Sequence, residues 1–112
     1  MILRVGIISR TDREKALETA RKISDILKEK HEVLFDETLI KHFPHNNYSK
    51  KVGDVELLIS VGGDGTILKS VRRYRDTPIL GVNVGTIGYL NEITPEEINS
   101  IPNIIEDRKS VV

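Results

Sequence analysis

The sequence contains no cysteine. That removes disulfides, thiolate metal ligands and a cysteine nucleophile from consideration, and makes an intracellular, cytoplasmic protein the simplest expectation. A charge bias is also missing, since Lys plus Arg and Asp plus Glu each number 17. No overall field draws the chain to nucleic acid, an anionic membrane or an acidic substrate, so neither nucleic acid nor membrane is expected as a partner. Long apolar runs are absent too. Met1 to Ile8 is apolar but short and interrupted by Arg4, which reads as a first strand and not as a signal peptide or membrane span. Repeats and low-complexity segments are not evident, and Ile104 to Val112 stop without a terminating motif, as a fragment would.

What remains suffices for one domain. A chain of 112 residues buries roughly two-thirds of its unfolded surface around a single core, and a second full domain is excluded. After the strand Ile2 to Ile8, Thr11 with Glu14 three residues on makes a capping-box signature, and Ala16, Ala20, Ile23 and Leu27 recur at helical spacing. A helix is expected from about Asp12 to about Glu29, then a short strand from Glu32 to Phe35; strand, helix and strand in this order predict a parallel βαβ unit. Asp36 to Asp54 loses the pattern and reads as a mobile loop with room for one helical turn. Leu57 to Val61 is apolar enough for a strand buried on both faces. A helix is expected from about Thr66 to Arg75 with Ile67, Leu68 and Val71 facing inward, and a fourth strand from Ile79 to Val84 after Pro78. Thr94-Pro95-Glu96-Glu97 opens a short helix with proline in its first turn. The fold class is therefore α/β, an open and mostly parallel sheet of about four strands with flanking helices.

Two glycine-rich turns carry the chemistry. Gly62-Gly63-Asp64-Gly65-Thr66 lies between a buried-type strand and a helix, and Asn83-Val84-Gly85-Thr86-Ile87-Gly88-Tyr89-Leu90 follows the next strand. Glycine reaches positive φ and leaves backbone N–H groups bare to a bulky anion, so Gly62, Gly63 and Gly65 are candidate phosphate ligands, with Thr66 and the start of the helix adding donors and the dipole. A carboxylate within such a cradle makes sense if it orients a hydroxyl and takes its proton, or meets a divalent cation that neutralises the phosphates. Asp64 thus points to phosphoryl transfer. The competing reading is a tight turn, since Asp and Gly favour turns for conformational reasons alone. The P-loop pattern Gly-x-x-x-x-Gly-Lys-Ser/Thr is absent, and Leu68 stands where a dinucleotide fingerprint needs its third glycine. In an open parallel sheet both turns fall on the carboxyl edge and should line one cleft.

Gly62-Gly63-Asp64-Gly65-Thr66 followed by Asn83-x-Gly85-x-x-Gly88-Tyr89-Leu90 resembles the N-terminal domain of the NAD kinases, over nearly the whole chain. The first motif is shared with diacylglycerol and sphingosine kinases and, in variant form, with phosphofructokinases; the second favours NAD kinase. The resemblance implies a Rossmann-like or phosphofructokinase-like domain and transfer of the ATP γ-phosphate, with Mg²⁺ or a similar ion, to the adenosine-ribose 2′-hydroxyl of NAD, giving NADP. It further implies Asp64 as proton acceptor, Asp64 and Gly65 as NAD contacts, and a homo-oligomer. Lys69 matches a basic ligand-contacting position, although Lys69, Arg72 and Arg73 also share the spacing of a solvated helix face. Tyr89 matches a position that is usually Phe and either stacks beside adenine or packs in the core. Thr86 departs from the larger residues often seen there.

The family's second, β-rich domain has no counterpart in these residues, so a partner C-terminal domain is expected to complete the substrate cradle. Alternatives are a lipid or sugar kinase fragment using the same turn, or a noncatalytic nucleotide-binding module. His42 and His45 lack a third ligand and read as loop residues. Glu92, Glu96 and Glu97 are explained by a helix start. No metal-ligating set is assigned.

Overall fold

A computed structural model describes residues 2–50, 53–85 and 93–107. Five parallel strands form one sheet: β1 (Arg4–Ser9), β2 (Glu32–Asp36), β3 (Tyr48–Ser49), β4 (Leu57–Gly62) and β5 (Ile79–Asn83), in the order β3-β2-β1-β4-β5. Helix α1 (Glu14–Leu27) joins β1 to β2, α2 (Asp64–Arg73) joins β4 to β5, and a 3-10 segment (Pro95–Ser100) runs into α3 (Ile101–Asp107). Among the described residues no helix is long and apolar enough to cross a membrane.

The α/β reading holds, with five strands where about four were expected. The additional strand is β3, inside the segment read as a loop; Tyr48 and Ser49 pair with Phe35 and Asp36. Two residues are too few for a period-two pattern to show. Every residue of β4 is buried, as are Val5 to Ser9 of β1, which matches strands covered on both faces.

Helix α1 follows its apolar period. Ala16, Ala20, Ile23 and Leu27 are all buried, and with Ile98, Ile101 and Ile105 they pack on Val5, Ile7, Leu57, Ile59, Val61, Leu80 and Val82. The expected Thr11–Glu14 capping box does not form. Arg13 stands at the N-cap in extended backbone, φ −132° and ψ 121°, which puts Glu14 at the first helical position, too early to reach back as an N3 residue does.

Helix α2 departs from its apolar period. It begins at Asp64 and buries Thr66 and Ser70, while Leu68 and Val71 are 53% and 50% exposed and Ile67 is half-buried. The expectation that Ile67, Leu68 and Val71 face inward therefore fails for Leu68 and Val71 and is met only in part by Ile67. The sheet face beneath α2 explains why: Ser60 of β4 points up between apolar neighbours and hydrogen-bonds the Ser70 hydroxyl at 2.9 Å, and Ser70 also donates to the Thr66 carbonyl at 2.7 Å. A hydrogen-bonding partner in the sheet selects the helix face that can answer it. The remaining core on this side is small, formed by Ile8, Val55, Leu58 and Tyr74 with Leu34 and Ile79 packed against it.

The strand order fixes where a ligand can enter. The chain leaves β1 towards β2 and β3, then returns to the other side of β1 for β4 and β5. Connections thus diverge between β1 and β4, and a crevice opens outside the carboxyl ends of those two strands.

Candidate functional site

The glycine turn occupies that crevice. Gly62, the last residue of β4, has φ 153°, and a Cβ there would overlap Thr66 Oγ1 and lie 3.0 Å from Thr66 Cβ and 3.3 Å from Arg10 Cδ. Only glycine fits. Gly63 is the N-cap of α2, and its carbonyl accepts from the N–H groups of Thr66 and Ile67 at 3.1 and 3.0 Å. Asp64 is the first helical residue and is exposed; Gly65 follows, also exposed.

Of the three glycines only Gly62 has positive φ, so the conformational argument applies to it alone. Gly63 and Gly65 differ: a Cβ built on either meets nothing within 4 Å. Nothing in the described protein requires their bare backbone. What the missing side chains leave is open access to main-chain N–H groups beside Asp64, at the positive end of a ten-residue helix.

The second turn starts on the same edge. Gly62 and Asn83 are register partners, and the Val84 N–H donates to the Gly62 carbonyl at 2.8 Å, tying the exit of β5 to the exit of β4. Asn83 N–H donates to the Ile93 carbonyl at 2.8 Å and Ile93 N–H to Gly81 at 3.1 Å, so the chain comes back to β5 after the turn. Gly85, φ 126°, begins that excursion. Thus Gly62 to Thr66 and Asn83 to Gly85 share one edge, as expected. Thr86, Gly88, Tyr89 and Glu92 lie outside the described residues.

Lys69 is exposed on α2, as is Arg72. Arg73 does not belong to a solvated face. It turns towards Asp36 at the carboxyl end of β2, with Nη2 at 2.9 Å and Nε at 3.3 Å. Asp36 is fully buried and also accepts from the Thr38 N–H at 3.1 Å, the Thr38 hydroxyl and the Tyr74 hydroxyl. Because Tyr74 donates to Asp36, Ser49 is the donor in the 2.6 Å Ser49–Tyr74 contact. Burial alone would raise the Asp36 pKa; hydrogen bonds from Thr38, Tyr74 and Arg73 outweigh it and hold the carboxyl below its ordinary value. Burial, then the Asp36 contact, pushes the Tyr74 phenol up.

This network was not read from the sequence, where Asp36 falls at a strand end and Tyr74 just past a helix; a buried acid gives no periodic signal. Arg10 and Asp12 were missed in the same way. Arg10 lies against Gly62 of the glycine turn and is joined to Asp12 by two hydrogen bonds, Nε–Oδ1 at 2.7 Å and Nη2–Oδ2 at 2.9 Å, and it holds the Asp12 carboxyl down to about 2.

His42 and His45 are both exposed, and among the described residues no group of three or more His, Cys, Asp or Glu side chains could hold a metal ion. Glu97 is engaged locally, accepting from the Thr94 N–H and hydroxyl, each at 3.0 Å.

Comparison with known proteins agrees with this geometry. Residues 5–109 match the ATP-NAD kinase N-terminal domain family. The NAD kinase of Thermococcus sibiricus is 45% identical over 101 residues, covering 85% of this chain and 37% of that relative. That of Pyrococcus abyssi is 41% identical over 101 residues, covering 85% and 36%. That of Methanosphaera stadtmanae is 41% identical over 104 residues, covering 86% and 37%. The chain spans little more than a third of the length of these curated relatives. With its glycine-carboxylate turn set in the crevice of a parallel sheet, the chain belongs to the ATP-NAD kinase N-terminal domain family.

Proposed function

We propose that this chain is the catalytic N-terminal part of an enzyme that phosphorylates NAD with ATP, giving NADP. The observation that carries the reading is Asp64, an exposed carboxylate at the first position of α2, flanked by two glycines whose bare backbone nothing in the described protein demands. In this reading the first-turn N–H groups of Asp64 and Gly65, with the Thr66 hydroxyl beside them, hold phosphate oxygens, and the Asp64 carboxylate orients the ribose 2′-hydroxyl. The 2′-oxygen bonds to the γ-phosphorus as the bond to the β,γ-bridging oxygen breaks. ADP departs with that electron pair, and Asp64 takes the hydroxyl proton late in the step.

A divalent cation accompanying ATP neutralises phosphate charge when bound. Lys69 is assigned to ligand contact, Tyr89 to the adenine, and Asn83, Gly85 and Gly88 to shaping the second wall.

The substrate cradle is completed by the further length that the relatives possess, and the working enzyme is a cytoplasmic homo-oligomer. The isolated 112-residue chain is then expected to bind nucleotide with little turnover, and to gain NADP formation when supplied with the C-terminal part of a matching relative. Turnover by the isolated chain at the rate of full-length relatives would refute the division of labour. In the complemented enzyme Asp64→Asn should lower kcat by roughly 10²–10⁴ with little change in NAD affinity; an unchanged kcat removes Asp64 from its role. Labelled phosphate appearing on a lipid or sugar acceptor in place of NAD would move the chain to another kinase class.

A further inference from the structure

We propose that Arg10 is a phosphate-binding residue of the same crevice, held in position by Asp12 and meeting the phosphoanhydride chain of the bound nucleotide. The inference rests on the reading of the glycine turn as a phosphate site and extends that site to its opposite wall. The sheet order puts the crevice between β1 and β4. The Gly62 to Thr66 turn forms the β4 side, and Arg10 is the first residue beyond β1 on the other.

Its place there is fixed by the backbone and by packing. The Arg10 N–H donates to the Val61 carbonyl at 2.9 Å, next to the start of the turn, and its Cδ lies 3.3 Å from where a Gly62 Cβ would stand. The stem of the side chain therefore rests against the glycine whose bare Cα admits it. The guanidinium is gripped along one edge, since Nε and Nη2 are the atoms that bind Asp12. Among the described residues no hydrogen bond is made by Nη1, so the end-on fork of Nη1 and Nη2 keeps donors that Asp12 does not use. That fork matches two oxygens of a phosphate.

The bland alternative is a surface ion pair. The side chains of Arg10 and Asp12 are 31% and 69% exposed, and pairs this wet contribute little to stability. What the pair does achieve is orientation: a long cationic side chain that would otherwise sample many rotamers is fixed at the mouth of an anion cradle.

The test is a backbone-amide NMR titration of the 112-residue chain with tripolyphosphate, ATP, NAD and adenosine. Arg10→Gln should weaken tripolyphosphate binding roughly tenfold, as expected for a lost hydrogen bond to a charged group, and leave the thermal midpoint in place. Adenosine binding should not change. A loss for ATP but not NAD assigns the contact to the donor phosphates; a loss for NAD but not ATP assigns it to the dinucleotide pyrophosphate. Arg10→Lys, which keeps the charge without the fork, should recover part of the affinity, and Arg21→Gln on the exposed face of α1 should have no effect. If the wild-type chain binds tripolyphosphate and Arg10→Gln binds it equally, Arg10 has no such role while the turn keeps its own. If no phosphate probe shifts the Gly62 to Thr66 amides of the wild type, the phosphate reading of the turn falls and Arg10 with it. Should Arg10→Gln not fold, the Arg10→Lys comparison decides: affinity equal to wild type overturns the fork.

Discussion

Two helices lie on opposite faces of one sheet and are held by different physics. Helix α1 presses Ala16, Ala20, Ile23 and Leu27 into an apolar layer shared with β1, β4 and β5. Helix α2 meets the other face through Thr66 under Gly62, Ser70 on Ser60, and Arg73 with Tyr74 on Asp36. The helix that carries no candidate site residue is bound by non-directional burial, and the one that presents Asp64 adds to a small apolar cluster a close approach at Gly62 and directed hydrogen bonds at Ser60 and Asp36. Burial fixes how close two elements lie; hydrogen bonds also fix their angle and register.

The contrast breaks first at Asp36. Asp36→Ala removes the shared acceptor of Thr38, Arg73 and Tyr74 and should cost about 3–5 kcal/mol in urea unfolding, since the partners are left buried without it. The acid limb of the stability profile should change too. A carboxyl held below its unfolded pKa stabilises the fold above that unfolded value and loses the contribution as pH falls through the folded one. Tyr74 gives the opposite limb: its phenol is raised, so its contribution is complete below the unfolded pKa near 10 and is lost as pH rises towards the folded value. Asp36→Asn should flatten the acid limb in unfolding free energies measured against pH; an unchanged limb would show that the carboxylate is not the titrating group.

Next is Ile23→Ala on the apolar side, expected to cost about 2–4 kcal/mol with no added pH dependence, because only packing is lost. Ser70→Ala should cost about 1–2 kcal/mol by leaving Ser60 without its partner, and the Ser60→Ala, Ser70→Ala double variant should cost less than the sum of the two singles. Additive costs would mean that the pair does not interact. The smallest effect is expected at Leu68→Ser, within about 0.5 kcal/mol, because that side chain stands mostly in solvent. A loss of 2 kcal/mol there would restore the inward-facing reading of the apolar stripe.

That stripe marks where the sequence stopped being legible. The β1 and β4 runs, the α1 period and the strand-to-helix position of Asp64 could all be read, because each leaves a pattern of one residue class at one spacing. The α2 face could not. Hydropathy selects Ile67, Leu68 and Val71, but the close approach at Gly62 and the Ser60 hydroxyl select Thr66 and Ser70, a third of a turn away around the helix. Asp36 and Arg10 were hidden for a related reason: each draws its meaning from residues distant in sequence or across a turn, which a window of neighbours does not contain. β3 was too short to leave a pattern at all.

The polar seat of α2 has a mechanical consequence. Thr66, Ser70 and the Arg73–Tyr74 end bear on the sheet at three successive stations along the helix, as three feet locate an instrument on its bench. A slip of one residue would move every station by about 1.5 Å, several times the spread that the hydrogen bonds of Ser70, Arg73 and Tyr74 tolerate, and would drive Thr66 off the bare face of Gly62. Such a helix has no shallow neighbouring seat to slide into: it is in place or it is off. The carboxylate at its tip inherits that indexing, and the aim of Asp64 is set as much from Asp36 at the far end of the helix as from the glycines beside it.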